Sequence, residues 1–331
     1  MCEGLPPTLS ICIPTFNRSS ALNQVLMSIT SQAIFLTSDE IEVVISDNCS
    51  IDNTKIIAES FVAQFPTKIK YSVNDINIFD KNFQKVLSIA TGVFLKLHND
   101  TSVFIDNVLE ELLSTVQKSI QSKPILFFSN GSCRGLPKIG VVPFFSFEEF
   151  INKATVCVTW IGAFGIWRED YARIEDFDRA AARQLAHTDS LFRVFEWKRN
   201  GLINNKVLST TIQVGRKSRY DLLGVFTDNY FGILEQTIER NGLSIEAFNL
   251  EKRRVLYRFL VKIIAETKAD TGLYDFDVSE WQSRLGKHFS ISELSKATLM
   301  VWAHSLLYIM YKIDNRVFKG QIMLMIKGAK A

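Results

Sequence analysis

Five short apolar runs, separated by amphipathic segments, dominate the first 130 residues of this 331-residue chain. They are LSICIP at 9–14, EVVIS at 42–46, IKYSV at 69–73, VFLKL at 93–97 and PILFFS at 124–129. Continuous apolar runs of this length are typical of strands buried on both faces of a sheet. The segments between them place apolar residues at helical spacing, so repeated β-α-β units are expected. The sequence therefore predicts an α/β fold with a mostly parallel sheet flanked by helices.

Polar residues beside the helical segments predict where the helices begin. Ser19 or Ser20 precedes the first helix, Asp52 the second and Asp80 the third. These residue types accept hydrogen bonds from the free N–H groups of a helix start. Gly92 follows the third helix, where a left-handed backbone commonly ends a helix.

After residue 130 the sequence predicts further strands and a helix of the same domain, followed by a purely helical region. WIGAFGIW at 160–167 and NKVLSTTIQVG at 205–215 predict strands, and TDSLFRVFEWKR at 188–199 predicts a helix. Helical periodicity then continues over 230–330. We therefore expect one domain over 1–220 and a C-terminal helical domain over 221–331.

Composition excludes some partners and favours a compartment. The formal charge of +3 is too small to indicate nucleic-acid binding, and no nucleic-acid partner is expected. Five cysteines without a CxxC pair favour a reducing, cytoplasmic setting. The most apolar stretch, Leu299 to Tyr311, is too short to span a bilayer and contains His304 and Ser305. A cytoplasmic protein, in contact with the inner membrane face at most, is expected.

Polar clusters follow four of the predicted strands. They are TFNR, DNCSIDNT, NDINIFDKN and HND, in chain order. Ligands of parallel sheets bind at the carboxyl ends of the strands, where loops and helix N-termini meet. The sequence therefore predicts a ligand site at this edge of the sheet.

The same segments, taken in order, resemble a known enzyme family. LSICIPTFNR, VVISDNCSIDNT and YSVNDINIFDKNFQKVLSIATGVFLKLHND are similar to the N-terminal half of glycosyltransferase family 2, and most similar to its O-antigen abequosyltransferase-like branch. The resemblance covers residues 1–215 and implies the GT-A fold. It also implies inverting transfer of a sugar from a nucleotide-diphosphate donor to a hydroxyl of an O-antigen or capsule acceptor, which can be lipid-linked.

The resemblance implies that residues after the first three strands surround the nucleotide. They are Pro14, Thr15, Asn17, Arg18, Asp47, Asn74 and Asn82. Asp47 corresponds to a family carboxylate that accepts hydrogen bonds from the base or ribose. Structural roles are open as well, since Asp47 can cap a turn with Ser50 and Arg18 can be a solvated charge. Asn82 can equally satisfy backbone groups near its helix start.

The HND segment departs from the family pattern. It aligns with an acidic motif that binds Mn²⁺ or Mg²⁺ at the donor's diphosphate, yet it has one carboxylate. In one hypothesis Asp100 binds the cation weakly with help from His98 or Asn99. In a second, basic residues such as Arg216, Lys217 and Arg219 replace a dispensable cation, and in a third the site is inactive.

Asp189 is the candidate general base. It lies in LAHTDSLFRVFEW, which resembles the helix that carries the family's catalytic acid, and a carboxylate there can take the acceptor's proton. A helix cap is the structural alternative for Asp189. His187, two residues earlier, is a second candidate or a local hydrogen-bonding residue.

Two other function classes stay open at this point. A GT-A domain that binds nucleotide sugar or a partner enzyme without catalysis would fit the single carboxylate of HND. A sugar nucleotidylyltransferase would need a glycine-rich loop after the first strand, and PTFNRSS contains no glycine. The C-terminal helices could pack on the first domain, contact a membrane or form a homodimer.

Overall fold

The computed structural model describes residues 5–215 and 220–313. Ten strands are described: β1 Leu9–Thr15, β2 Ile41–Asp47, β3 Ile69–Val73, β4 Phe94–Leu97, β5 Ser102–Phe104, β6 Ile125–Phe128, β7 Val141–Phe144, β8 Gly165–Trp167, β9 Gly201–Asn204 and β10 Ser209–Thr211. The helices among them are α1 Ser19–Thr30, α2 Ala33–Thr37, α3 Thr54–Gln64, α4 Lys81–Ile89, α5 Val108–Ser119, α6 Phe147–Ala154, α7 Arg168–Ala172 and α8 Ala186–Val194.

The main sheet has the order β3-β2-β1-β4-β8, with the first four strands parallel. Every residue of β1 and β2 is buried, as their continuous apolar runs predict. Helices α1 and α5 cover the sheet with Leu22, Val25, Leu109 and Leu112 in its core. The α/β class and the mostly parallel sheet flanked by helices are thus confirmed.

The fifth predicted strand lies in a different sheet from the first four. The position beside β4 is taken by β8, which runs antiparallel and pairs Trp167 with Phe94. Gly165 permits this contact, because a Cβ there would lie 2.4 Å from the Phe94 ring. The strand β6 instead pairs with β9 in a three-stranded sheet, and β5 pairs with β10 in a two-stranded one.

Three helix-boundary predictions differ from the structure. The N-cap residue of α3 is Asn53 and not Asp52, although Asp52 Oδ1 accepts from the Thr54 N–H at 3.0 Å. Neither Ser19 nor Ser20 caps α1, since Arg18 is its N-cap residue and the Ser19 N–H donates to Asp52 Oδ2 at 3.0 Å. Gly92 does not have a left-handed backbone; it is needed for close approach, because a Cβ would lie 2.9 Å from the Ser10 backbone nitrogen. Asp80 is the N-cap residue of α4, without a side-chain hydrogen bond.

The C-terminal part of the described chain is helical. It contains α9 Leu222–Gly224, a wide turn at Val225–Asn229, α10 Tyr230–Asn241, α11 Ile245–Arg254, a second wide turn at Val255–Leu260, α12 Val261–Lys268, α13 Trp281–Leu285 and α14 Ile291–Ile313. The described chain forms two compact units, residues 5–214 with 236–247 and residues 215–235 with 248–313, less the undescribed 216–219. The boundary at 220/221 stays a prediction.

The helices α12 and α14 pack together within the second unit. Ser305 Oγ donates to the Ala265 carbonyl at 3.3 Å, and the Tyr308 hydroxyl donates to Glu266 Oε1 at 2.6 Å. Among the described helices, none combines the length and the apolar character that crossing a bilayer demands.

Candidate active site

The predicted ligand residues after β1 and β2 lie at one edge of the main sheet. Register places Thr15 beside Asp47. The hydrogen-bond ladder continues past the strands, since the Asn48 N–H donates to the Thr15 carbonyl and the Asn74 N–H to the Asp47 carbonyl, both at 2.9 Å. Parallel strands thus bring loops from distant parts of the sequence to the same edge.

Asp100 is held at this edge by residues of the first loop. Its Oδ1 accepts from Arg18 NH1 at 2.6 Å and its Oδ2 from the Thr15 hydroxyl at 2.9 Å. The Phe16 backbone N–H also donates to this carboxylate. Burial raises the pKa of Asp100, and Arg18 and Thr15 oppose that shift by stabilising the ionised form. Arg18 is therefore the partner of a buried carboxylate, with its own side chain 36% exposed.

These residues do not form a ready cation site. Asp100 is the one carboxylate of the HND segment, and both of its oxygens already accept hydrogen bonds. The His98 ring donates from Nε2 to the Ser102 carbonyl at 2.6 Å and stacks on Phe104 at 4.0 Å. Burial lowers the pKa of His98 to about 3, so the ring is neutral. Over residues 5–215 and 220–313, no group of three or more His, Cys, Asp or Glu side chains is placed to hold a metal.

The predictions for Asn99 and for the basic residues at 216–219, which concern the diphosphate, stay predictions. Asn99 is half-buried and its carbonyl accepts from the Ser102 N–H at 3.1 Å. Arg216 and Lys217, with Arg219, lie outside the described residues.

Asp47 is buried at the end of β2 and has no cationic partner in its hydrogen bonds. Its Oδ1 accepts from the Ser50 N–H at 3.0 Å, which is the local turn considered from the sequence. Its Oδ2 accepts from the Tyr71 hydroxyl at 2.8 Å. Burial and the Asp47 charge raise the pKa of Tyr71, so the phenol stays protonated as a donor. A carboxylate oxygen has two lone pairs, and each can therefore still accept a bond from a ligand.

Asn17 joins the first loop to the second. Its backbone has φ of 51°, a left-handed conformation that Asn adopts more readily than most residues. The Asn17 N–H donates to Ser50 Oγ and its Oδ1 accepts from the Ile51 N–H, both at 2.8 Å. Asp52 adds a further link, accepting from the N–H groups of Ser19 and Thr54 at 3.0 Å.

Asn74 and Asn82 belong to one polar network with Ser46 and Asn48. Asn82 Oδ1 accepts from Ser46 Oγ at 2.6 Å and from Asn74 Nδ2 at 2.9 Å. Asn82 Nδ2 donates to the Ser46 carbonyl at 2.9 Å. This network ties the start of α4 to the end of β2 and to the loop after β3; the bonded backbone group is the Ser46 carbonyl, not one near the helix start as the structural alternative for Asn82 had it. Pro14 is buried within β1, opposite Ser46 in register.

Asp189 forms a separate cluster on α8. Arg179 donates to both of its oxygens, from Nε at 2.6 Å and from NH2 at 2.7 Å. The Asp189 side chain is 4% exposed and Arg179 is 31% exposed. The N-cap residue of α8 is Leu185, so Asp189 does not cap this helix. These bonds link Asp189 to Arg179 and not to the Asp100 cluster.

His187 is buried two positions before Asp189, and its contacts are separate from those of Asp189. Its Nε2 donates to the Thr159 carbonyl at 2.9 Å, and its ring meets the edge of Phe83. Burial lowers the pKa of His187 to about 4. A neutral ring bound to a backbone carbonyl fits the local structural role.

Sequence reasoning missed three residues that shape the site. The contact of Tyr71 with Asp47 could have been predicted, because Tyr71 lies on the predicted strand that follows the strand of Asp47. Arg179, in FDRAAAR, gave none. Lys96 looked like a strand residue, yet it is buried, donates to the Gly162 carbonyl at 2.7 Å and has its pKa lowered to about 7 by burial.

The family resemblance can now be compared with known proteins. Residues 10–126 match the model of the family described as Glycosyl transferase family 2. This segment is similar to family 2 glycosyl transferases. It runs from β1 into β6 and includes Thr15, Asp47 and Asp100, so the predicted resemblance is confirmed.

Two curated relatives are similar over part of their length. Abequosyltransferase RfbV of Salmonella typhimurium is 30% identical over 120 residues, which are 36% of this chain and 34% of the relative. The GalNAc(5)-diNAcBac-PP-undecaprenol beta-1,3-glucosyltransferase of Campylobacter jejuni is 29% identical over 109 residues, 32% of this chain and 34% of the relative. The chain thus matches about a third of each relative.

Solved structures show the fold. S. aureus TarS 1–349 in complex with UDP-GlcNAc has a TM-score of 0.55 at 15% identity, covering 93% of this chain and 92% of that one. The mannosyltransferase PcManGT of Pyrobaculum calidifontis, in complex with GDP-Man and Mn²⁺, has a TM-score of 0.53 at 15% identity, covering 95% and 88%. At this identity the likeness shows the fold, and the GT-A prediction is confirmed.

Proposed function

We propose that this chain is an inverting glycosyltransferase that moves a sugar from a nucleotide-diphosphate donor to a hydroxyl of a surface-polysaccharide acceptor. The observation that carries this proposal is the gathering of Thr15, Arg18, Asp47 and Asp100 at one sheet edge within the family 2 segment. Distant loops supply these groups, and the edge is where ligands of parallel sheets bind.

We assign the nucleotide to the loops after β1, β2 and β3. Asp47 accepts hydrogen bonds from the base or ribose with its remaining lone pairs, since Ser50 and Tyr71 hold it in place. Asn17, Asn74 and Asn82 shape the pocket around it through the bonds that fix these loops. The end of β1, with Pro14 and Thr15, and the loop after it border the diphosphate.

The transfer step assigns a role to Asp189. The acceptor oxygen forms a bond to the anomeric carbon while the bond from that carbon to the β-phosphate oxygen breaks, and its electron pair leaves with the nucleotide diphosphate. The hydroxyl proton passes to the Asp189 carboxylate. Because Arg179 covers both Asp189 oxygens, the acceptor must shift Arg179 to reach them. We therefore expect Arg179 to hold the base until the acceptor binds.

A divalent cation at this site has little to bind. Mn²⁺ and Mg²⁺ prefer several oxygen ligands, and the HND segment offers the Asp100 carboxylate in competition with Arg18. Asn99 and His98 are neutral and bind such hard ions weakly. We propose that any cation is weakly bound and dispensable.

We place the reaction at the cytoplasmic face of the membrane, on an O-antigen or capsule acceptor that is lipid-linked. The name of the C. jejuni relative specifies an undecaprenol-linked substrate, and this supports the proposed acceptor class. Abequosyltransferase RfbV, named for transfer of a deoxy sugar, supports a hexosyl or deoxyhexosyl donor.

The helix α14 offers a membrane contact for such an acceptor. Its face opposite α12 exposes Leu299, Trp302, Leu306 and Met310, with Trp302 67% exposed. Between residues 312 and 331 the sequence has five Lys or Arg against one Asp. An apolar face followed by basic residues matches an anionic lipid surface. Flotation with anionic vesicles should recover the protein and lose it when Trp302→Glu and Leu306→Glu are combined.

A matched control lies on a different helix. Ser60→Glu adds a charge at an exposed position of α3, away from the apolar face, and should leave flotation unchanged. A homodimer is the alternative occupant of this face. If the double variant instead converts a dimer to a monomer with vesicle binding unaltered, a second copy covers the face.

The proposed activity is tested by donor binding followed by transfer. Nucleotide diphosphates should raise the melting temperature of the protein, since a ligand at 100 times its Kd stabilises by about 2.7 kcal/mol. Asp189→Asn should keep this shift and lose transfer. Donor binding without transfer in the parent protein, for every donor tested, would instead identify a non-catalytic binding domain.

A further inference from the structure

We propose that Arg18 occupies the position of the divalent cation, bridging Asp100 and the donor's diphosphate, and that Asp100 is a positioning residue for Arg18. This inference rests on the proposed function. It concerns how the diphosphate is held, and it predicts that donor binding does not depend on a cation.

The first support is the way Asp100 is occupied. The Arg18 guanidinium, the Thr15 hydroxyl and the Phe16 backbone N–H all donate to a carboxylate that is buried. A cation at Asp100 would have to compete with these donors, the charged guanidinium above all. Here the donors Thr15, Phe16 and Arg18 lie within four residues, at the end of β1 and in the loop after it, so this segment folds around the carboxylate.

The second support is the geometry of Arg18 itself. NH1 contacts Asp100, while the side chain remains 36% exposed. A guanidinium has five N–H donors in a fixed plane, so those on Nε and NH2 can meet phosphate oxygens while NH1 stays on Asp100. Lysine has no such planar fork and cannot bridge the two in the same way.

The third support is the helix that begins beside Arg18. Arg18 is the N-cap residue of α1, a helix of 12 residues. Its N-terminus carries partial positive charge and favours anions. The Arg18–Asp100 pair is neutral as a whole, and the Asp52 carboxylate already accepts from the Ser19 N–H at this helix end, so the helix adds only part of its positive potential for the diphosphate.

The ring of His98 fits this assignment. Its Nε2–H is directed at the Ser102 carbonyl, and the ring is stacked on Phe104. His98 therefore fixes the turn that presents Asp100 to Arg18. The histidine of HND is in this way accounted for without a metal.

The test measures nucleotide diphosphate binding by calorimetry and thermal shift, once with EDTA and once with Mn²⁺. For the parent protein, the two Kd values should differ by less than about fivefold, the lower limit of a typical coupling between two ligands. In Arg18→Gln the binding with EDTA should be lost, and Mn²⁺ should restore it by binding the freed Asp100. Arg193→Gln, which removes a partly exposed arginine bonded to the Asp176 carbonyl, is the matched control and should behave as the parent.

Arg18→Lys keeps the positive charge but lacks the planar guanidinium with its several N–H donors. It provides a second test if Arg18→Gln does not fold. It should bind more weakly than the parent with EDTA and gain little from Mn²⁺. The inference is overturned if the parent binds only with Mn²⁺ and Arg18→Gln retains that binding. If no nucleotide diphosphate binds the parent under either condition, the proposed function fails together with it.

Discussion

Two buried aspartates pair with half-exposed arginines in this protein, and the pairs are built differently. Asp100 and Arg18 are 82 positions apart, and their bond joins the loop after β4 to the loop after β1. Asp189 and Arg179 are 10 positions apart and form a fork of two bonds next to one helix. The first pair depends on the sheet, because only parallel strands bring its loops together, whereas the second is largely local.

The difference indicates separate roles for the two carboxylates. Asp100 keeps the Thr15 and Phe16 donors whether or not Arg18 moves, so its position does not depend on the arginine alone. Within the described residues, both hydrogen bonds that reach the Asp189 carboxylate come from Arg179. Asp189 can therefore be released by a single movement, which suits the proton-accepting role that we propose for it.

The largest expected effect is on transfer by Asp189→Asn. The amide cannot take the acceptor's proton, and a positioned general base contributes about 10²- to 10⁴-fold to the rate. We expect kcat to fall by that range with donor binding unchanged, measured by nucleotide release and by calorimetry.

Asp100→Asn provides the contrast for this prediction. It should weaken donor binding and leave a measurable kcat at saturating donor. If the two variants lose kcat equally, then the comparison between a binding carboxylate and a proton-accepting one is wrong.

The second prediction compares the stability of Arg179→Gln and Arg18→Gln. Arg179→Gln leaves both oxygens of a buried carboxylate without a charged partner, and breaking such a pair costs about 3–5 kcal/mol. Arg18→Gln removes one charge-assisted bond of several, which costs about 1.5–3 kcal/mol. Urea unfolding should therefore rank Arg179→Gln as the less stable variant, and the reverse order would contradict the comparison.

The same contrast explains what the sequence could predict. The sheet edge with Thr15, Asp47 and Asp100 was predictable, because strand periodicity and polar strand ends are local signals whose meeting follows from parallel topology. Arg179 was not, since an arginine ten positions before Asp189 in an irregular segment has no periodic signature. Gly92 was misassigned because a tertiary contact requires the glycine. Ser10 approaches too closely for a Cβ, whereas the backbone angle of Gly92 is an ordinary one.

The third prediction uses the buried histidines, one near each aspartate. Burial lowers the pKa of His98 to about 3 and that of His187 to about 4, from 6.5. Between pH 6.5 and 4 the unfolded chain therefore binds more protons than the folded protein, and stability falls as the pH falls. Each of these pKa changes corresponds to roughly 3–5 kcal/mol of stability.

His187→Asn should flatten this part of the pH profile, because it removes a group that must ionise on unfolding. The measurement is the free energy of unfolding against pH in the parent and the variant. Parallel profiles would show that His187 takes up its proton equally in the folded and unfolded protein, and that its burial does not affect the pH dependence of stability.

The smallest expected effect concerns Asp47, the site carboxylate whose hydrogen bonds come from neutral donors. Tyr71→Phe removes the hydroxyl that donates to Oδ2, and a bond to a charged group contributes about 1.5–3 kcal/mol, less where water replaces it. Tyr71 is half-buried, so water can enter, and we expect a loss of about 1 kcal/mol in stability with weaker nucleotide binding. Because Asp47 then keeps only the Ser50 N–H, its loss of order should weaken nucleoside monophosphate and diphosphate binding equally. An effect on the diphosphate alone would place Asp47 with the phosphates and join it functionally to Asp100.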